Sequence, residues 1–157
     1  MKRAICVFAF GLILLGAATA ASAQSSFPVI EGGVQGLELC PQDWCGAAVF
    51  SGLFHGRIGI NPNAVGIVTA AIRHTDLPTE INDFALITGG GWELRTLTRR
   101  ITGAVLAGRI TYIGNNFFEI RILMDLRSGG GGYVVFGGIL DHNTLIPNFA
   151  GNLLQIP

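Results

Sequence analysis

The sequence predicts an all-β chain folded as one antiparallel up-and-down barrel of about eight strands, with a Greek-key sandwich as the other arrangement of the same strands. Three observations lead there. Apolar residues recur at every second position in segment after segment. Glycine, 23 of 157 residues, punctuates those segments at hairpin-length intervals. No segment carries a capped i, i+3, i+4, i+7 apolar stripe, so little helix is expected. Short connections favour a meander, and a meander of about eight strands closes on itself most readily.

The first 23 residues stand apart from this pattern. Met1-Lys2-Arg3 is a short positive start, Ala4 to Leu15 an apolar run, and Ala21-Ser22-Ala23 a small-residue tail before Gln24. That is the build of a cleaved secretory leader. Its second half is Ala, Thr and Ser rather than Leu and Ile, which weighs against an uncleaved anchor. The domain division that follows is a leader over 1–23, a lead-in with a disulfide loop over 24–46, and a barrel over 47–157. Without Lys2 and Arg3 the chain holds eight arginines, no lysine and ten acids, a formal charge of −2 (8 − 10). A weakly acidic chain with no basic run gives no electrostatic footprint for nucleic acid or anionic lipid. Membrane contact is expected only through the leader, if it stays attached.

Cys40 and Cys45 remain after cleavage, and two cysteines in an exported chain are most simply one disulfide. The spacing Cys40-Pro-Gln-Asp-Trp-Cys45 does not fit a Cys-x-x-Cys redox pair, and zinc would need two further ligands nearby.

In chain order, Gln24 to Leu39 is a glycine-interrupted lead-in with at most a short strand from Val34 to Leu39. Ala47 to Ile60 is the first long strand. There Phe50, Gly52, Phe54, Gly56 and Ile58 share one face, the alternation of glycine with bulk that curved sheets use. Asn61-Pro62-Asn63 turns the chain into a second strand, Ala64 to Thr75, which Pro78 brings to an end. Asp83 to Thr88 is a third, and Gly89-Gly90-Gly91 reads as a reversal into Trp92–Thr98. Residues 99–113 form one strand or two short ones. Phe117 to Leu126 is the clearest strand, with Phe118, Ile120, Ile122, Met124 and Leu126 on one side and Glu119, Arg121 and Asp125 on the other. Gly114-Asn115-Asn116 before it and glycines 129–132 after it supply the positive φ of tight reversals. A strand from Tyr133 and a closing one, Asn148 to Ile156, complete the set.

Four short runs carry a resemblance: Cys45-Gly-Ala-Ala-Val-Phe-Ser-Gly-Leu-Phe-His-Gly56, Arg73-His-Thr-Asp-Leu-Pro78, Gly90-Gly-Trp-Glu-Leu-Arg95 and Gly138-Ile-Leu-Asp-His142. Together they resemble a recurrent pattern in small, uncharacterised, β-rich exported bacterial proteins. The resemblance implies export and a compact β domain and attaches no activity.

Familiar catalytic motifs are missing: no Gly-x-Ser-x-Gly elbow, no His-Glu-x-x-His, no P-loop, no dinucleotide fingerprint. No motif calls for a cofactor. The expectation is therefore a secreted or periplasmic, non-catalytic binding or structural module, its partner a small molecule or an envelope component. Phe50, Phe54, Phe118 and Phe136 are the candidate cavity residues, in an interior that glycines leave partly unfilled. Three alternatives stand beside it. His55, His74 and His142, two of them near Asp76 and Asp141, could hold a metal ion for binding or hydrolysis. Strand parity argues against this, since His74 ends an even-numbered strand and His142 an odd-numbered one, at opposite mouths. Each histidine is then a strand-end cap bonded to backbone. A small outer-membrane barrel would have Glu119, Arg121 and Asp125 facing a polar lumen, but its aromatic girdles are not evident. An envelope component assembled by edge pairing is the last. Glu93, Glu119 and Asp125 read as solvated partners of neighbouring arginines rather than as a catalytic acid pair.

Overall fold

A computed structural model describes residues 29–128 and 131–156; the expected leader lies outside the described residues. Eight strands form a closed antiparallel barrel in simple meander order: β1 (Ile30–Cys40), β2 (Ala48–Ile58), β3 (Asn61–His74), β4 (Phe84–Thr96), β5 (Arg100–Gly114), β6 (Phe117–Asp125), β7 (Tyr133–Asp141) and β8 (Asn148–Ile156). One turn of helix, α1 (Gln42–Cys45), sits inside the disulfide loop between β1 and β2. Odd-numbered strands end at one rim, here called the clasp rim because it carries α1 and the Cys40–Cys45 bridge. Even-numbered strands end at the far rim.

Two boundaries differ from the sequence reading, each for a physical reason. The lead-in is not outside the barrel: Ile30–Cys40 is a full first strand. It pairs with β2 on one side and with β8 on the other, from Glu31↔Leu154 to Leu37↔Asn148, and so closes the wall. Its glycines 32, 33 and 36 conceal a period-two pattern in which Ile30, Val34 and Glu38 turn inward. Nor is Gly89-Gly90-Gly91 a reversal. β4 continues through it, with Gly89 and Gly90 at φ 149° and 148° beside the register shift with β3 between Arg73↔Gly89 and His74↔Ile87. Residues 100–114 are one strand. At Gly114-Asn115-Asn116 the positive φ values (97°, 53° and 57°) do make the tight β5–β6 reversal.

The inward faces of the strands are mostly apolar, with Glu38 of β1 the one buried charged side chain among the described residues. Phe54, Ile72, Leu94, Ile110, Leu140 and Leu153 are fully buried there. Inward glycines face each other across the β1–β2 seam as Gly32↔Gly56 and Gly36↔Gly52, and across the β7–β8 seam as Gly138↔Gly151. Their missing side chains are replaced by aromatic rings lying against the wall. A Cβ on Gly52 would stand 2.9 Å from the Phe149 ring, and one on Gly138 or Gly151 would stand 2.8 or 2.7 Å from Phe136. The expectation of glycine-made empty space is thereby corrected: the glycines make room that the rings occupy.

Candidate functional site

What the rings leave unfilled is a cavity of about 40 Å³ at the centre of the barrel. Ile120, Ile122, Met124, Phe136, Leu140 and Phe149 are among its walls, and no polar atom contributes to its surface. Of the four expected cavity phenylalanines, Phe50 and Phe136 line it. Phe54 instead packs over Gly32, and Phe118 lies nearer the clasp rim against Tyr112 (ring centroids 5.2 Å) and His142 (5.0 Å). Phe149, on β8, is a lining residue that the sequence reading passed over. The inward series Phe149, Gly151, Leu153 was its available signal.

Strand direction decides the fate of the histidines. Counting Gly89–Gly91 as a turn inserts an extra strand before His142 and sends it to the mouth opposite His74. With β4 unbroken, His74 ends β3 and His142 follows β7, so both stand at the clasp rim. His55 points outward from β2 and is exposed. The three imidazoles do not converge, and among the described residues no group of three His, Cys, Asp or Glu side chains is placed to hold a metal ion. His74 does cap its strand as expected, with Nδ1 2.6 Å from the Thr75 carbonyl. Beside it, the Gln42 side chain of α1 accepts from the His74 N–H and donates to the His74 C=O, each at 2.7 Å. That exchange is what a neighbouring strand would offer, and it fastens the disulfide loop to β3.

His142 behaves differently. Its Nε2 approaches Oε2 of Glu38 to 3.3 Å without a hydrogen bond forming, and neither atom has another partner among the described residues. Glu38 is 6 % exposed and His142 25 %. Glu38 is the one buried charged side chain among the described residues, turned inward by the β1 alternation and opposite Phe50 of β2. Polar contacts hold the loop bearing His142: its N–H donates to the Asn116 carbonyl (3.0 Å), Asn143 Nδ2 to the Asn115 carbonyl (2.8 Å), Asn143 N and Nδ2 to Asp141 Oδ1, and Asn116 Nδ2 to Asn143 Oδ1 (3.4 Å).

Glu93, Glu119 and Asp125 lie on the outer wall. Glu93 accepts from Arg95 (2.9 Å) and Arg100 (2.7 Å), and the Arg100 hydrogen bond holds its carboxyl below the usual carboxylate range. Glu119 pairs with Arg121 two residues along the same strand (2.6 Å), and Asp125 with Arg127 (3.4 Å). No two of these acids converge in a cleft, so they are surface ion pairs.

No protein-family model matches the chain, and no curated protein or solved structure matches it. The barrel's own chemistry must carry the functional reading.

Proposed function

We propose that this is an exported, non-catalytic binding module that holds a thin apolar molecule inside the barrel. The observation that carries the reading is the central cavity, wholly apolar in its lining, within an interior otherwise filled by aliphatic side chains and rings. At about 40 Å³ it is well short of the ~150 Å³ that accommodates benzene, so its occupant is an alkyl group of few carbons. Met124 and the Phe136 and Phe149 rings can admit a longer chain by changing rotamer. Export is supported by the leader-like residues 1–23, the Cys40–Cys45 disulfide and the resemblance to exported β-rich proteins.

Charge placement favours water over lipid outside the barrel. Arg57, Arg73, Arg95, Arg109 and Arg121 all project from the outer wall, where each arginine at a bilayer midplane would cost about 2–4 kcal/mol. A membrane barrel has the opposite arrangement, polar within and apolar without.

The test is a titration of the purified protein with xenon and with n-butanol, followed by methyl NMR of the cavity residues. Saturable shifts at Ile120, Ile122 and Met124 are expected, and Ala70→Leu, which builds a side chain into the cavity wall, should remove them. Absence of shifts for both probes would overturn the reading.

A further inference from the structure

Just beyond the apolar wall of the cavity, on the side of the clasp rim, stand two polar side chains. Leu140 and Ile120 line the cavity, and the next inward positions along their strands toward that rim are His142 and Phe118. Phe50 and Phe149 line it as well. Phe50 is the β2 partner of Glu38, and Phe149 is paired with Gly36, two residues before Glu38. Glu38 and His142 therefore form the layer directly beyond the cavity. This layer holds a buried carboxylate with no Lys or Arg within ion-pair distance among the described residues. It also offers two unbonded polar atoms 3.3 Å apart.

We infer that Glu38 and His142 recognise the head of the bound molecule and that this head is a primary ammonium, making the ligand a short unbranched alkylamine. The inference rests on the proposed use of the cavity and adds the polar end to it. An ammonium has three N–H donors and no acceptor. It can donate to Glu38 Oε2 and to the His142 ring nitrogen together, supplying the positive charge that the buried carboxylate lacks. The neighbouring Phe118 and Tyr112 rings present π surface that tolerates a cation. An alcohol can fill the same space but brings no charge. A carboxylate head would be repelled by Glu38. The narrow cavity selects against branched and ring-bearing chains.

The discriminating experiment is an NMR titration of the purified protein at pH 8, where a primary amine carries its proton. The ligands are n-butylamine, n-butanol and n-butanoate, tested on wild type and Glu38→Gln. The amine should bind about tenfold more tightly than the alcohol, a difference of about 1.4 kcal/mol, and butanoate should give no saturable shift. In Glu38→Gln the amine should lose that advantage while butanol keeps its affinity to within about twofold. Equal binding of amine and alcohol by the wild type would overturn the inference while leaving the cavity reading intact. So would an amine preference that survives in Glu38→Gln. Failure of xenon and butanol to bind would remove both readings. Should Glu38→Gln not fold, the ranking of the three ligands by the wild type decides alone.

Discussion

At the far rim of the barrel the polar groups turned inward are bonded. The Trp92 indole donates to the Asp125 carbonyl at 2.9 Å, through the gap left by Gly103, and the Gln155 side chain accepts from the Ile30 N–H at 3.2 Å. At the clasp rim Glu38 also turns inward and, among the polar side chains of the described residues, meets only the His142 imidazole, unbonded. The far rim is what stability alone would select. Burying a carboxylate without full compensation costs several kcal/mol, which stability alone would not select. The contrast separates closing a barrel from reserving a place in it, and it directs attention to Glu38 and His142 rather than to the better-bonded and more conspicuous charges outside.

Breaking the Glu38–His142 contact should give the largest effect. His142→Ala removes the imidazole that packs on Phe118 and leaves a void beside the buried carboxylate, and it should lower unfolding stability by about 3 kcal/mol in urea titration. The double variant Glu38→Leu with His142→Phe should instead be at least as stable as wild type, because an apolar pair needs no desolvated charge. A large loss in the double variant would mean that the pair serves the fold. Opening the clasp comes next: Cys40→Ala with Cys45→Ala should cost about 2 kcal/mol by loop entropy. Hydrogen exchange should rise at His74 as Gln42 loosens, while the far rim is unchanged. At that far rim, Trp92→Phe removes one indole hydrogen bond and should cost about 1 kcal/mol, with the barrel's circular dichroism retained.

The smallest effect belongs to Glu93 outside. Its carboxyl is held below 4.5, first by the Arg100 hydrogen bond. A lowered folded-state value makes its contribution complete above about pH 4.5 and lost as pH falls through the folded-state value. Glu93→Gln should flatten that part of the acid stability profile, and about 1 M salt should shrink the difference, because the pair is exposed to water. A pH effect of similar size in Glu93→Gln would assign the acid dependence to other carboxylates.

Much of this was legible in advance, and where it was not the reason is glycine. Ile120, Ile122 and Met124 alternate with Glu119, Arg121 and Asp125, so β6 and its two faces could be read directly. In β1 the glycines at 32, 33 and 36 contribute no side chain to the alternation, so at most a short strand from Val34 could be read and the inward turn of Glu38 went unnoticed. Three successive glycines at 89–91 have the composition of a turn. Pairing with Ala71, Ile72 and Arg73 on one side and with Ala104 and Val105 on the other holds them in the strand. That one extra reversal was enough to move His142 to the wrong mouth.

By itself the sequence determined the architecture: period-two alternation and hairpin turns are local properties, expressed within a few residues and independent of what they later pack against. The closure of β1 on β8, the filling of glycine space by Phe136 and Phe149, and the meeting of Glu38 with His142 across 104 positions (142 − 38) of chain were decided by the tertiary structure. Each depends on strand count and register, and a single glycine run assigned to the wrong role changes which side chains share a rim.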